Sequence, residues 1–131
     1  MVHLAADLAV TLPADRPGML AQALGCVSAA GINIDGYAEI SGVVHVLASD
    51  LAATRNCLNA AGFRILQEQQ VVLVPVPDAP GAAARVFQQI AAAHINVCYS
   101  YLATGNRLVI AAENPHALLE AVSGRSTAVQ R

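Results

Sequence analysis

Aromatic and charged residues are scarce in this chain of 131 residues. Tryptophan is absent, and three tyrosines and two phenylalanines make up the 4% aromatic content. Only 12% of the residues are charged, and the net charge is −2. Nucleic-acid-binding proteins need clustered Lys and Arg, and RNA-recognition sheets also need aromatic side chains on which bases stack. The composition therefore argues against a nucleic-acid partner.

Cysteine is also sparse, and membrane or export signals are missing. Cys26, Cys57 and Cys98 are odd in number and far apart, which argues against a disulfide framework and a zinc site. We interpret them as small core residues in a reducing cytoplasm. No apolar run is long enough for a membrane span, and the N-terminus does not resemble a signal peptide. We therefore expect a cytoplasmic protein with no membrane partner.

No catalytic set is recognisable. Catalysis requires a nucleophile with a base, a pair of carboxylates, or a cluster of metal ligands. None of these occurs at a convincing spacing, so the sequence predicts a protein that is not an enzyme, with no cofactor and no metal site. Hydrophobic residues, in contrast, make up 56% of the chain. They suffice for a core and leave apolar surface for a partner, so we expect a homodimer.

The strongest signal in the sequence is an internal duplication. Asp15-Arg16-Pro17-Gly18 recurs as Asp78-Ala79-Pro80-Gly81, and Gly31-Ile32-Asn33-Ile34 recurs as His94-Ile95-Asn96-Val97. Both pairs are 63 residues apart, and the same step carries residues 43–50 onto residues 106–113. Each copy must form the same supersecondary unit, so the duplication governs the fold. The chain is predicted to divide into two units, residues 1–68 and 69–131.

Hydrophobic periodicity gives both units the same order of elements. Alternating apolar residues predict strands, and apolar residues at helical spacing predict helices. The first unit is predicted to have strands over 2–12, 32–40, 43–48 and 63–66, and helices over 18–30 and 51–61. The second is predicted to have strands over 71–76, 95–102, 107–112 and 127–130, and helices over 81–93 and 115–122. The expected fold class is α+β, with two ferredoxin-like β-α-β-β-α-β units in tandem, each an antiparallel sheet with helices on one face.

The connection between the units is short. Only residues 67–70 separate the fourth predicted strand from the fifth, and they include no glycine or proline. Two complete units side by side would need a longer tether, because neighbouring strands lie about 4.8 Å apart. We therefore expect strand exchange, in which residues 63–66 and 71–76 form a hairpin. The last strand, residues 127–130, would then complete the first unit beside residues 2–12.

Two strand-to-helix corners carry the most informative residues. In each corner a proline fixes φ, and a glycine allows close approach to the backbone just before a helix begins. The open amides of such a helix suit an anion, including an α-carboxylate. Asp15 and Asp78 add a carboxylate that suits an ammonium group, and Asn33 and Asn96 add an amide at the next strand. This set of groups suits a free amino acid.

The two motifs together resemble those of the ACT domain family, here in tandem and similar to the regulatory part of aspartokinases. The resemblance implies amino-acid binding where two units meet, between the strand–helix loop of one and the second strand of the other. One implied site combines Asp15, Arg16, Pro17, Gly18, Met19 and Leu20 with Asn96 and Val97. The other combines Asp78, Ala79, Gly81, Ala82 and Ala83 with Asn33 and Ile34. Ala79 and His94 replace Arg16 and Gly31, so we expect the two sites to differ in affinity.

Structural roles remain open for several of these residues. The two aspartates are equally well explained as helix N-caps, and the two asparagines as partners of backbone groups at a helix exit. Arg16 is more readily explained as a solvated charge than as a ligand clamp. His45 is interpreted as a half-buried structural histidine. Tyr37, Tyr99 and Tyr101, on or near the second strands, are interpreted as core or interface residues.

The sequence therefore predicts a non-catalytic regulatory protein that senses a free amino acid bound between ACT-like units. The alternative is a regulatory or structural subunit that docks on an enzyme of amino-acid metabolism without an obligatory ligand. In the first case the output is a change of shape or assembly on binding. Any regulation of an enzyme partner is expected to act in trans, because no catalytic segment accompanies the two units.

Overall fold

The computed structural model describes residues 1–13 and 17–123. These residues form a mixed α/β fold with six strands and four helices. The strands are β1 (His3–Thr11), β2 (Ile34–Ile40), β3 (Val43–Ala48), β4 (Arg64–Pro75), β5 (Val97–Ala103) and β6 (Arg107–Ala112). The helices are α1 (Met19–Ala29), α2 (Leu51–Ala60), α3 (Ala82–Ala92) and α4 (Pro115–Val122). No helix within these ranges is long and apolar enough to cross a membrane. The predicted strand over 127–130 lies outside the described residues.

β4 corrects the predicted connection between the units. The predicted hairpin over residues 63–76 is wrong, because Arg64–Pro75 is one continuous strand of 12 residues. The chain continues straight here because Gln67–Gln70 contain neither glycine nor proline, the residues that most readily reverse the chain. Glutamine and glutamate are compatible with extended backbone when their side chains reach water, and three of these four residues are exposed.

Two strands each contribute to both compact units of the chain. One unit is Ala6–Gln69, and the other joins Met1–Ala5 to the chain from Gln70 onward. The division therefore falls inside β1 and inside β4. Val2 and Leu4 pack on the core of the later unit although they open the chain. The first residues of β1 thus belong to the later unit, and the predicted return of residues 127–130 to the first unit lies outside the described residues.

In the Ala6–Gln69 unit, β3 pairs antiparallel with β1 and with β2. α1 and α2 complete its core, which is the following cluster: Leu8, Val10, Met19, Ala23, Val27, Ile32, Val44, Val46, Leu58 and Phe63. Asp50 caps α2, because its Oδ1 accepts a hydrogen bond from the amide of Ala53 at 3.1 Å.

The later unit repeats this arrangement. β6 pairs antiparallel with β4 and with β5, and α3 and α4 supply the helices. The repetition extends to an irregularity, because β2 breaks register between Ile34 and Gly36, and β5 breaks register between Val97 and Tyr99. Its core is the following cluster: Val72, Val74, Val86, Ile90, Leu108, Ile110, Ala112, Leu118 and Val122.

The two units differ by one residue in their hairpins. Two residues separate the paired positions Ile40 and Val43, whereas three separate Ala103 and Arg107. Equivalent positions beyond the hairpin are therefore 64 residues apart, and the predicted match of residues 43–50 with 106–113 is wrong by one residue. Both hairpins turn through two consecutive residues with positive φ, at 41 and 42 and at 105 and 106, so Thr104 is the extra residue of the second.

α1 and α3 end in the same left-handed turn. Gly31 follows α1 with φ of +78°, and His94 holds the equivalent place after α3 with φ of +59°. In both turns the next amide, of Ile32 or Ile95, donates to the helix carbonyl five residues earlier, at 3.3 and 3.2 Å. This closure favours glycine, because a Cβ is crowded in left-handed backbone.

We expect His94→Gly to increase the free energy of unfolding by about 0.5–1 kcal/mol, since it relieves left-handed strain and adds only flexibility to the unfolded chain. The reciprocal change, Gly31→His, should lower it by about 1–2 kcal/mol. Urea denaturation of both variants and the parent measures the difference. A loss of stability in His94→Gly would contradict this explanation of the turn.

Candidate functional site

Thirteen of the fifteen predicted site residues are described by the structure, while Asp15 and Arg16 lie outside the described residues. At the first corner, Gly18 is the N-cap of α1 with φ of +90°, and no side chain caps the helix. Pro17 and Gly18 are exposed. Met19 is only 4% exposed in the core, and Leu20 packs against the same core. Any contribution of Met19 to a site is therefore made by its backbone, while the half-buried Leu20 keeps part of its side chain accessible.

At the second corner, Gly81 is the N-cap of α3 with φ of +81°, again without a capping side chain. The interpretation of Asp78 as an N-cap is therefore wrong, and its side chain is exposed three residues earlier. The amide of Ala82 donates to the carbonyl of Ala79 at 3.2 Å, which closes the turn. Ala83 is exposed. Its amide, in the first helical turn, has no carbonyl partner within the helix.

The two asparagines are exposed one residue before their strands. Asn33 donates from Nδ2 to Oδ1 of Asp35 at 2.8 Å. Ile34 and Val97, which follow the asparagines, pack against the cores of their own units. In each predicted site the corner and the asparagine belong to different compact units. The pairing of corner with asparagine therefore stays a prediction.

A cleft of about 620 Å³ lies beside the second corner. The end of β4 and one side of α3 line it, with the residues Pro75, Val76, Pro77, Ala82, Arg85, Val86, Gln88, Gln89 and Ala92. The lining is mainly apolar, and Arg85 is its charged residue. A cleft of this size and character accommodates a small molecule that has an apolar part and a negative charge.

The cleft follows from a difference between the repeats. Ala82 and Met19 are the first residues of α3 and α1, and each comes directly after a left-handed glycine. The long side chain of Met19 fills the core of its unit, and Leu12 packs there too, where the later unit has the smaller Val76. Ala82 is buried like Met19, at 6% exposure, but its methyl side chain is too short to fill the space that Met19 fills in the first unit. Space that a longer side chain would fill therefore stays open beside α3.

Arg85 is a candidate site residue that the sequence did not reveal. A Cβ built on Gly81 would lie 3.3 Å from Nη1 of Arg85, so the guanidinium folds back over the corner. Helical side chains lean toward the N-terminus, which brings a residue one turn into α3 back to its first turn. The positive end of the helix dipole repels a cation at the helix N-terminus. An anion bound there would be attracted both by the guanidinium of Arg85 and by the helix dipole. The equivalent residue in the first unit is Gln22, which is uncharged.

A buried carboxylate also escaped the sequence analysis. Asp7, on β1, is fully buried, and Nδ1 of His45, on β3, lies 3.6 Å from its Oδ2. His45 is half-buried, as predicted, and corresponds to Val109 in the later unit rather than to Leu108. Buried charges persist in proteins when they are paired, so we assign this pair a structural role. No group of three metal-ligating side chains occurs in the described part of the chain.

The sequence matches no family model, and no curated protein matches it. Solved structures do match, however. Protein BT0572 from Bacteroides thetaiotaomicron is 23% identical with a TM-score of 0.80, over 95% of this chain and 90% of that one. The regulatory subunit of aspartate kinase from Thermus flavus is 19% identical with a TM-score of 0.61, over 92% of this chain and 94% of that one.

A third similar structure is a larger enzyme. Escherichia coli aspartokinase III in complex with lysine and aspartate is 16% identical with a TM-score of 0.58, over 99% of this chain and 33% of that one. At these identities the likeness concerns the fold. The predicted similarity to the regulatory part of aspartokinases is confirmed at that level, and this chain has the fold of an aspartate kinase regulatory subunit.

Proposed function

We propose that this protein is a non-catalytic cytoplasmic regulator that binds a free amino acid, and that its two units are tandem ferredoxin-like repeats of the ACT type. The observation that carries the proposal is the Gly81 corner, where a left-handed glycine, Arg85 and the cleft occur together. The shared fold with aspartate kinase regulatory subunits supports a regulatory role. A similar enzyme, aspartokinase III, was solved in complex with lysine and aspartate, which supports an amino acid as the kind of ligand.

The chemistry of the corner suggests how such a ligand is held. The α-carboxylate binds the open first-turn amides, beginning with Ala83, and pairs with the guanidinium of Arg85. The exposed carboxylate of Asp78 receives the ammonium group. The side chain enters the cleft, whose walls are mainly proline, alanine and valine. We therefore propose an amino acid with an apolar side chain.

One site per chain is favoured over two. The first corner has the same left-handed glycine, but its neighbours differ, since Gln22 replaces the cation and Met19 is buried in the core. Among the described residues it therefore offers open amides, with the uncharged Gln22 where the second corner has Arg85. We expect binding at the Gly81 corner with a stoichiometry of one ligand per chain.

The alternative function, docking on an enzyme without an obligatory ligand, is favoured by a separate observation. In the Ala6–Gln69 unit, Ile40 and Tyr37 on β2 are 65% and 50% exposed, and in the later unit Leu102 on β5 is 61% exposed. Contiguous exposed apolar surface is typical of faces that bind a protein, so the exposed side of β2 is the candidate docking face. The same face also fits the expected homodimer, which light scattering would detect.

Titration with each of the twenty amino acids, followed by thermal unfolding, tests the proposal. A ligand at about one hundred times its dissociation constant should stabilise the protein by about 2.7 kcal/mol. Gly81→Val should abolish this shift, because valine is strained at this φ and its Cβ crowds Arg85. Gly18→Val is the matched control, with the same strain but nothing within 4 Å of the added Cβ. Flat curves for all twenty amino acids would favour the docking function instead.

Ala82→Met should close the cleft, because methionine at this position would reproduce Met19 of the first unit. We expect ligand binding to be lost while the melting temperature of the unliganded protein stays the same or rises, since the added apolar area is buried. Ala83→Met, at the exposed neighbouring position, is the control and should bind normally. Equal binding by both variants, measured by calorimetry, would place the ligand elsewhere.

Arg85→Gln converts the second corner to the composition of the first. A hydrogen bond to a charged group contributes about 1.5–3 kcal/mol, so affinity should fall by about ten- to hundredfold. The loss of affinity caused by Arg85→Gln should be smaller for a ligand whose α-carboxylate is replaced by an amide. An equal loss for both ligands would mean that Arg85 acts on the cleft rather than on the carboxylate.

A further inference from the structure

Two cysteines that are 31 residues apart in sequence meet in the structure. Cys26 lies on α1 and Cys57 on α2, and their Sγ atoms are 4.0 Å apart. Both side chains are half-buried beside the core of the Ala6–Gln69 unit. Cys98, on β5, is exposed. The prediction from sequence that all three are small core residues gave no sign that two of them form a pair.

The two thiols face each other across the helix pair. Cys26 donates from Sγ to the carbonyl of Ala23 at 3.3 Å and lies 3.9 Å from the carbonyl of Cys57. Cys57 donates to the carbonyl of Thr54 at 3.4 Å. A disulfide requires the sulfurs to approach to about 2.05 Å, so each must leave its carbonyl and turn toward the other. These weak thiol hydrogen bonds oppose that rotation only slightly.

Packing of the helix pair does not itself require thiols. The equivalent positions in the later unit, allowing for the one-residue difference after the hairpin, are Gln89 on α3 and Ala121 on α4. That unit packs its own two helices with an amide and a methyl group at these positions. The paired thiols are therefore a feature of the first unit alone, among the described helices.

We propose that Cys26 and Cys57 are a redox site, which hydrogen peroxide converts reversibly to a disulfide linking α1 to α2. The Cys57 thiolate attacks one peroxide oxygen, the O–O bond breaks, and Cys57 becomes a sulfenic acid while the other oxygen leaves as water after taking up a proton. The sulfur of Cys26 then attacks the Cys57 sulfur. The S–S bond forms, the S–O bond breaks, and the second water carries away the Cys26 proton. Two thiols are oxidised and one peroxide is reduced to two waters.

The order of these steps follows from the environment of Cys26. Burial raises the pKa of the Cys26 thiol to about 11, and the charge and hydrogen bond of Cys57 add to the effect. Cys26 therefore stays protonated at neutral pH and enters as the second, resolving thiol. The pair should stay reduced until an oxidant is present, and a thiol reductant should restore it.

The full chain with Cys98→Ser, which removes disulfides between chains, provides the test. Reduced protein is treated with hydrogen peroxide, remaining thiols are blocked with N-ethylmaleimide, and tryptic fragments are weighed without reduction. Cys26 falls in the fragment that ends at Arg55, and Cys57 falls in Asn56–Arg64. We expect these fragments to be joined, with a mass two hydrogens below their sum, and to separate on addition of dithiothreitol.

Thermal unfolding gives a second readout. The oxidised protein should melt several degrees above the reduced protein, because the cross-link restricts the unfolded chain. Cys57→Ala and Cys26→Ala should each abolish both the joined fragments and the shift. Recovery of both cysteines as blocked thiols would overturn the proposal. So would accumulation of a sulfinic acid on Cys57 while Cys26 stays blocked.

Discussion

The left-handed glycine at the start of α1 and α3 is the constraint on which the candidate site depends. At φ of +90° and +81°, Gly18 and Gly81 begin the helices without any capping side chain. A conventional cap would occupy one of the first-turn amides with its own oxygen. The glycines leave those amides open at an exposed corner, and the backbone turn closes instead through main-chain bonds such as that from Ala82 to Ala79. The corner thus gains an anion-binding geometry at the cost of a cap.

Because the backbone is repeated, the differences between the two units come from a few side chains. Met19 completes a core where Ala82 leaves a cleft, and Gln22 stands where Arg85 covers the corner. The helix pair of the first unit carries two thiols, and that of the later unit carries none. The two units therefore share the left-handed glycine corners, the strand irregularities and the helix exits, and their hairpins differ by one residue. Specialisation acted on positions that the backbone leaves unconstrained, and this argues for a ligand at one corner and redox chemistry in the other unit.

Local patterns in the sequence predicted most elements but not the contacts between distant segments. The bounds of β3, β6 and α4 were correct, because β-branched runs, turn residues and a proline after Asn114 mark them directly. The hairpin predicted around residues 67–70 was wrong, since an absence of turn residues allows a strand simply to continue. The approach of Cys26 to Cys57 depends on how α1 and α2 pack, and the return of Arg85 over Gly81 depends on side-chain direction. Neither contact produces a periodic pattern of residues in the sequence.

β4 connects the candidate site with the rest of the chain and therefore bears on regulation. The strand ends at Pro75, which lines the cleft, and begins at Arg64 in the other compact unit. A bound ligand regulates only if it prefers one of two arrangements, and the free energy of that preference limits the response. A loop between the units would absorb a small displacement at the cleft. β4 is one continuous strand without a turn at Gln67–Gln70, so a ligand bound in the proposed cleft would contact one end of a strand whose other end lies in the Ala6–Gln69 unit.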